Sequence, residues 1–401
     1  MAGPLEGIKV LELASVVLGP WAGQMLGDMG AEVIKVEPPR GDSNRQLGPC
    51  KSPQMGALYI TCNRNKRSLV LDLKRDDARS ALLSLAKDAD VILHNFRPKA
   101  MQKLRLDYES IAAVNPAVVY CGTYGYSKNG PYGDKGALDD SIQAASGTAI
   151  LQSMVEGEPR YLPTVVADKT TGMAVVVAVT SALYHREKTG VGQEIEVPMF
   201  ETMAYYVMAE HLWGSAFEPP LAKPGYVRLM SKHRRPYKTL DGYIAVLPYL
   251  NAHWDRFCEL VDRPDLITDE RFETLAMRIK NIDATYEETG KILATRTTQA
   301  WLDILGDTNI PTMVVNSLED LMTDPHLNAV GFWEQLEHPT EGTLRAARFP
   351  INFAQTPASI RRYPPRLGEH SREILAEAGL DQEAIDKLIA EGATLQAPEV
   401  D

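Results

Sequence analysis

The stretch Ile8–Val36, IKVLELASVVLGPWAGQMLGDMGAEVIKV, decides the fold. Ile8–Leu13 is a short apolar run and reads as a strand. Ser15–Gly19 is a loop, and Pro20 opens a helix, since proline has no N–H to lose in a first helical turn. The helix runs to about Met29, Gly30 ends it, and Ala31–Val36 is a second strand. Strand, helix and strand in so short a span form a βαβ unit, whose strands must run parallel. Gly19, Gly23, Gly27 and Gly30 surround the helix but do not spell the GxGxxG nucleotide fingerprint, and no Walker A sequence occurs. They read as places of close helix–sheet packing. A second reading has the Ser15–Pro20 loop meeting a ligand, because open α/β sheets bind ligands at the C-terminal ends of their strands.

The same alternation continues outward. Ser68–Leu73 is strand-like, Asp76–Ala86 helical, Val91–His94 a strand, Leu106–Val114 helical and Val118–Thr123 a strand. Glu194–Val197 is a further strand after the Gly190–Gly192 turn. The expected fold is α/β, a doubly wound, mostly parallel Rossmann-like sheet. From Asp139 to about Tyr206 the chain is mainly helical. Pro219, Pro220, Pro224 and Pro236 then mark a domain boundary in residues 215–240. A smaller α+β unit follows, with strands at Tyr243–Leu247 and Pro311–Val315 and helices at Asn251–Leu260, Asp283–Ala294 and Gln299–Leu305. The tail from Phe349 is rich in proline and ends in helices near Glu369–Glu377 and Gln382–Ala390.

A formal net charge of −11 over 401 residues argues against a general nucleic-acid role. The four cysteines, Cys50, Cys62, Cys121 and Cys258, form no CxxC pair. That points away from zinc and disulfide frameworks and towards a reducing cytoplasm. The N-terminus has no basic segment followed by an apolar run, so no signal peptide is expected. The longest apolar run, near Gly172–Leu183, is shorter than the roughly 18 residues that cross a bilayer. It reads as a buried helix, and no membrane partner is expected.

Two features carry chemistry. Basic residues cluster beside predicted strand ends: Arg40, Asn63-Arg64-Asn65-Lys66-Arg67-Ser68, Asn95-Phe96-Arg97-Pro98-Lys99, and Lys103. They form either a phosphate-binding rim or ordinary solvated loop charge. In Val165–Met173 a single aspartate, Asp168, stands at the start of a long helix of small residues. It reads either as an N-cap accepting backbone N–H bonds or as a nucleophile. In the second case the helix N-terminus favours the ionised carboxylate, and free N–H groups there steady an oxyanion or thiolate.

The ordered motifs resemble the family III CoA-transferases, the CaiB–BaiF family, along nearly the whole chain. The matching pieces are Gly19-Pro20; Gly30-Ala31-Glu32-Val33-Ile34-Lys35-Val36-Glu37; Asn65-Lys66-Arg67-Ser68 with Leu71-Asp72-Leu73; and Asn95-Phe96. Further along come Asp139 with Gln143-Ala144 and Ser146-Gly147; Asp168 with Thr171-Gly172; Thr189-Gly190 with Gly192-Gln193; Tyr237-Lys238-Thr239 with Asp241-Gly242; and Leu367-Gly368-Glu369-His370. The resemblance implies a transfer of coenzyme A between two carboxylic acids. An aspartate at the position of Asp168 attacks an acyl-CoA thioester to form a mixed anhydride. The released thiolate then gives an aspartyl-CoA thioester, and the acceptor acid reverses the sequence. A water-poor pocket protects the anhydride.

The resemblance also implies acyl-CoA as a substrate with no tightly bound cofactor and no metal. Its CoA cleft would hold Val16, Arg40, Leu73, Asn95, Phe96, Lys103 and Met199. Asp139 either positions the acyl group or assists anhydride breakdown, or else caps the helix that starts near Asp140. A homodimer of interlocked chains is implied. The large domain would comprise residues 1–200 and 331–401, and 201–330 the linker and small domain.

Some positions depart from relatives. Formyl-CoA transferases carry glutamine where this chain has Val17, and a glycine-rich loop where it has Leu247-Pro248-Tyr249-Leu250. Many relatives have Arg-Pro-Gly where this chain has Arg97-Pro98-Lys99, and lysine rarely takes the positive φ that glycine permits. The α-methylacyl-CoA racemases of the same family place a histidine before the aspartate matching Asp139; here that residue is Leu138, which takes no proton. They also follow the catalytic aspartate with a phenylalanine- and glycine-rich run, replaced here by Lys169-Thr170-Thr171-Gly172. His94 and His185 match no motif for the missing base. A racemase, a non-catalytic CoA-binding module and an acyl-CoA hydrolase are the alternatives to a transferase. The acid is either apolar, as Ser15-Val16-Val17-Leu18 suggests, or a dicarboxylate whose second carboxylate meets His233-Arg234-Arg235.

Overall fold

The structure, a computed structural model, describes residues 3–399. Six strands form one sheet: β1 (Lys9–Leu13), β2 (Glu32–Glu37), β3 (Lys66–Val70), β4 (Val91–His94), β5 (Val119–Gly122) and β6 (Gln193–Glu196). Their order is β3-β2-β1-β4-β5-β6, and every neighbouring pair is parallel. This is the doubly wound order. The chain reverses its direction of travel across the sheet between β1 and β4, which makes that gap the switch point where such sheets bind ligands.

Alternate strand residues feed two cores, as the pleat requires. Val10, Val33, Leu93 and Val119 face one, with Leu26, Val175 and Val179 from helices. Leu11, Ile34, Leu69, Ile92 and Tyr120 face the other, with Ile374, Ile385 and Leu388 from the C-terminal helices. The tail also covers β3: Gly368 donates to Ser68 Oγ at 2.9 Å, and Asp72 donates its N–H to the Ala393 carbonyl at 2.8 Å. An otherwise open sheet edge is thereby occupied.

Helix α1 (Leu18–Asp28) lies on the first face against the long helix Val166–Thr189. Glycines on both helices allow close approaches, Gly19 of α1 to the loop after β1 and Gly172 of the long helix to α1. A Cβ on Gly19 would stand 2.3 Å from the Ala14 Cβ, and one on Gly172 would stand 3.1 Å from the Leu18 carbonyl oxygen. The long helix has 24 residues and by length and composition could cross a membrane, which corrects the shorter span expected from Gly172–Leu183. In this unit it packs against α1, β5 and β6. Ala167, Val175, Val179 and Leu183 are buried, but Met173, Val177 and Tyr184 are exposed, so one face rather than the whole helix is buried.

β3 begins two residues before the strand expected at Ser68, and takes in Lys66 and Arg67. Charge suggested a loop there, yet both side chains are buried by ion pairing. Lys66 meets Glu12 at 2.7 Å, and Arg67 pairs with Glu32, Glu373 and Glu377. Arg64 likewise pairs with Asp28 at 2.7 Å. The Asn63–Ser68 cluster is therefore neither a phosphate rim nor solvated loop charge. Its partners lie far away in sequence. A hairpin of β10 (Trp333–His338) and β11 (Gly342–Ala347) was not expected and belongs to the same unit.

Residues Gly147–Pro163 and Tyr205–Pro325 form a second compact unit. Its antiparallel sheet joins β7 (Tyr237–Lys238), β8 (Tyr243–Val246) and β9 (Thr312–Val314). Its core is aromatic, built on Trp254, Phe257, Phe272 and Trp301.

Candidate active site

A cleft with about 560 Å³ of free volume opens at the C-terminal ends of β1, β4 and β5. Ser15, Val16 and Leu18 follow β1; Asn95 and Arg97 follow β4; Thr123, Tyr124 and Gly125 follow β5. The cleft therefore sits at the switch point of the sheet. Lys135–Leu138 and Ser141 form another wall, and Asp168 and Met199 complete it.

The loop after β1 is held by side chains rather than by regular structure. Asn95 accepts the Ser15 N–H at 3.1 Å and donates to the Ser15 carbonyl at 2.8 Å. Val16 adopts φ +71°, a left-handed conformation that a β-branched residue rarely takes and that clusters at functional sites.

Asp168 is the third residue of the long helix and only 8% exposed. Two expectations for it need correction. It is not the N-cap, since that position is Val165. Nor are the N–H groups around it free to meet an oxyanion. Ala167 and Asp168 donate their N–H groups to Asp139 Oδ1 at 2.7 and 3.0 Å. Val166 and Lys169 donate theirs to the carbonyls of Thr164 and Val165. Asp139 is thus a cap after all, but of the Asp168 helix rather than of its own helix, Asp139–Ala145. Its second oxygen accepts from Gln143 Nε2 at 2.6 Å, and only 6% of the residue is exposed.

This arrangement sets the charge of Asp168. Burial, and then the neighbouring Asp139 carboxylate, push its pKa up to about 7. The helix N-terminus was expected to favour the ionised form; desolvation and a like charge outweigh it. With the nearest N–H groups taken by Asp139, the Asp168 carboxylate faces the cleft at a pKa matched to neutral pH.

The other expected contact residues divide. Val16, Asn95 and Met199 line the cleft beside Asp168. Arg40, Leu73, Phe96 and Lys103 do not line it. Arg40 and Lys103 are exposed, Leu73 is half-buried and Phe96 is 38% exposed. Even so, Leu73, Arg40, Val16 and Asn95-Phe96 follow the ends of β3, β2, β1 and β4, which is their spatial order. In a parallel sheet these residues share one edge. Arg97 and Lys135 are cleft cations not expected as site residues. Arg97 stood in a basic cluster that gave no hint of which member turns inward, and nothing in the sequence marks Lys135. In the second unit, His233 and Arg235 line a separate cleft with Lys238 and Lys291. Among the described residues, no group of three or more His, Cys, Asp or Glu is placed to hold a metal.

Comparison with known proteins adds to this geometry. The family model of CoA-transferase family III matches residues 5–371. The succinate–glutarate CoA-transferase of Agrobacterium fabrum is 35% identical over 93% of this chain and 95% of its own. A probable fatty acyl-CoA transferase of Mycobacterium tuberculosis is 31% identical over 94% of this chain and 98% of its own. The crystal structure of a CAIB/BAIF family protein from Brucella suis superposes with a TM-score of 0.79 at 31% identity, over 94% of this chain and all of that one.

Proposed function

The chain belongs to CoA-transferase family III and is an acyl-CoA:carboxylate CoA-transferase; from that premise we propose that Asp168 is the carboxylate through which CoA passes. The single observation that carries this is the buried Asp168 in the switch-point cleft, with its pKa raised to about 7. A carboxylate of that basicity is about half ionised at neutral pH and more nucleophilic than an exposed one.

The steps follow in order. An Asp168 oxygen bonds to the thioester carbonyl carbon, the C–S bond breaks, and CoA thiolate leaves with the electron pair. The thiolate attacks the Asp168 carbonyl of the mixed anhydride, releasing the first acid and leaving an aspartyl-CoA thioester. The acceptor carboxylate attacks that thioester, the C–S bond breaks and a second mixed anhydride forms; the expelled thiolate attacks the acceptor's acyl carbon, giving the new acyl-CoA and releasing the Asp168 carboxylate. Each anion consumed is replaced by another, so no net proton moves. Asp139 is a positioning residue: it fixes the first turn of the Asp168 helix and takes the N–H groups that would otherwise hold the nucleophile.

CoA then lies along the C-terminal edge of the sheet. The order Leu73, Arg40, Val16, Asn95-Phe96 supports this, with Arg40 and Lys103 towards phosphates and Met199 in the cleft wall. Leu138 lies where a racemase needs a base, which favours transfer. Arg97 and Lys135 supply positive charge to the cleft. With the Agrobacterium relative, they support a short dicarboxylate as the acid rather than a fatty acid. A homodimer is supported by the exposed apolar row Met173, Val177 and Tyr184 on the long helix. In this reading the unit of Gly147–Pro163 and Tyr205–Pro325 serves as the small domain. The four unpaired cysteines fit a cytoplasmic location.

The test is to incubate the enzyme with succinyl-CoA and, separately, glutarate or a long-chain fatty acid, and to separate the thioesters. Glutaryl-CoA and free succinate are expected in equal amounts. Free CoA without a new thioester would point to hydrolysis. Product from the fatty acid alone would overturn the dicarboxylate assignment.

A further inference from the structure

The Val16 turn is gripped by a charge network that the reaction itself does not use. The Val16 N–H donates to Asp42 Oδ1 at 3.1 Å, and the Val16 carbonyl accepts from Asn44 Nδ2 at 2.5 Å. Both ends of one strained residue are thus held by side chains two positions apart. Asp42 Oδ1 also accepts the Asn44 N–H at 3.0 Å, so the two grips brace each other. Behind them, Lys35 Nζ meets Asp42 Oδ2 at 3.0 Å and Glu12 Oε1 at 3.1 Å, and donates to the Ala14 carbonyl at 2.9 Å. Glu12 in turn meets Lys66, and Glu37 meets Arg45 and accepts the Asp42 N–H. Glu12, Lys35, Glu37, Asp42, Asn44, Arg45 and Lys66 are each 3% exposed or less.

Burying so many ions adds little net stability compared with an apolar core, because desolvation offsets their attraction. What such a network does supply is a fixed arrangement. Here it ends on one peptide, in a conformation that valine resists, on the wall of the cleft that holds Asp168.

We propose that Asp42 and Asn44 are positioning residues for the transferase: they clamp Val16 in its left-handed turn, and the donor thioester binds only to the cleft shaped by that turn. The inference rests on the cleft being the acyl-CoA site.

The test is a double-variant cycle on Asn44→Ala and Val16→Gly, reading KM and kcat for the acyl-CoA donor. Glycine takes positive φ without a clamp. Loss of the Asn44 grip is expected to raise the donor KM about tenfold in the Val16 protein, with a smaller effect on kcat. In the Val16→Gly background the same change is expected to raise it by less than about threefold. If Asn44→Ala alone does not fold, the double variant is expected to restore both folding and turnover. Equal losses in the two backgrounds, no loss in either, or a double variant that stays unfolded would each overturn the clamp. A parent protein that transfers CoA to no acid would instead remove the reading on which it rests.

Discussion

Asp139 caps the helix that carries Asp168. Its Oδ1 accepts the Asp168 N–H at 3.0 Å and the Ala167 N–H at 2.7 Å, and its charge helps to raise the Asp168 pKa. One carboxylate thus does structural and electrostatic work on another, and the two roles separate by substitution. Asp139→Asn keeps an oxygen for the two N–H groups but removes the charge. The acid limb of kcat/KM, expected near pH 7 in the parent, is expected to move to lower pH. Asp139→Ala also removes the cap and is expected to cost about 1–2 kcal/mol of stability. A pH–rate profile and urea unfolding of both variants check this.

The pH dependence of stability follows from the same raised pKa. The folded protein holds the Asp168 proton up to about pH 7, whereas the unfolded chain releases it near the ordinary aspartate value of 3.8. Below 3.8 both states are protonated, and this group's penalty is absent. As pH rises from there to 7 the unfolded state binds fewer protons, so stability falls. Asp168→Asn is therefore expected to stabilise the protein at pH 8, by on the order of 3 kcal/mol, and to do nothing comparable at pH 4. Urea midpoints at the two pH values decide it; equal gains at both would contradict the assignment.

Gly23 shows how closely α1 approaches the buried ions. A Cβ there would stand 1.9 Å from Glu12 Oε2, the oxygen that meets Lys66. Gly23→Ala must push the carboxylate off its partner within a fully buried network. The expected cost is at least about 3 kcal/mol, far beyond the small helix-propensity gain of alanine. Chemical denaturation measures it directly.

Much of this architecture was legible in the sequence, and the failures have a common cause. Local period and punctuation located Asp76–Ala86, Val91–His94 and Asn251–Leu260 with their observed ends. They missed the start of β3, because Lys66 and Arg67 are buried only by partners as distant as Glu12, Glu373 and Glu377. The site divided in the same way. Asp168 stood out through its helix start, but its cap comes from Asp139, on another element, and no local pattern records that bond. Val16 gives no sign of its positive φ, since valine is an unfavourable residue for it. Arg97 reaches the cleft from the loop after β4, and Lys135 through the folding of the segment after β5.

Those two cations yield a further expectation. Arg97→Ala and Lys135→Ala each remove one positive charge from the cleft without touching Asp168. Each is expected to raise KM for the acyl-CoA or the acid by roughly three- to tenfold, with kcat changed less, and to weaken the salt dependence of KM. Steady-state kinetics at two ionic strengths separates this from a fold defect, which would lower the active fraction at every salt concentration.

The most direct test of the central claim is mass spectrometry of the intact protein after incubation with an acyl-CoA donor and no acceptor acid, followed by peptide mapping. A CoA adduct is expected on the peptide containing Asp168, lost on adding the acceptor acid and absent in Asp168→Asn. An adduct on another residue, or full transfer activity in Asp168→Asn, would contradict it.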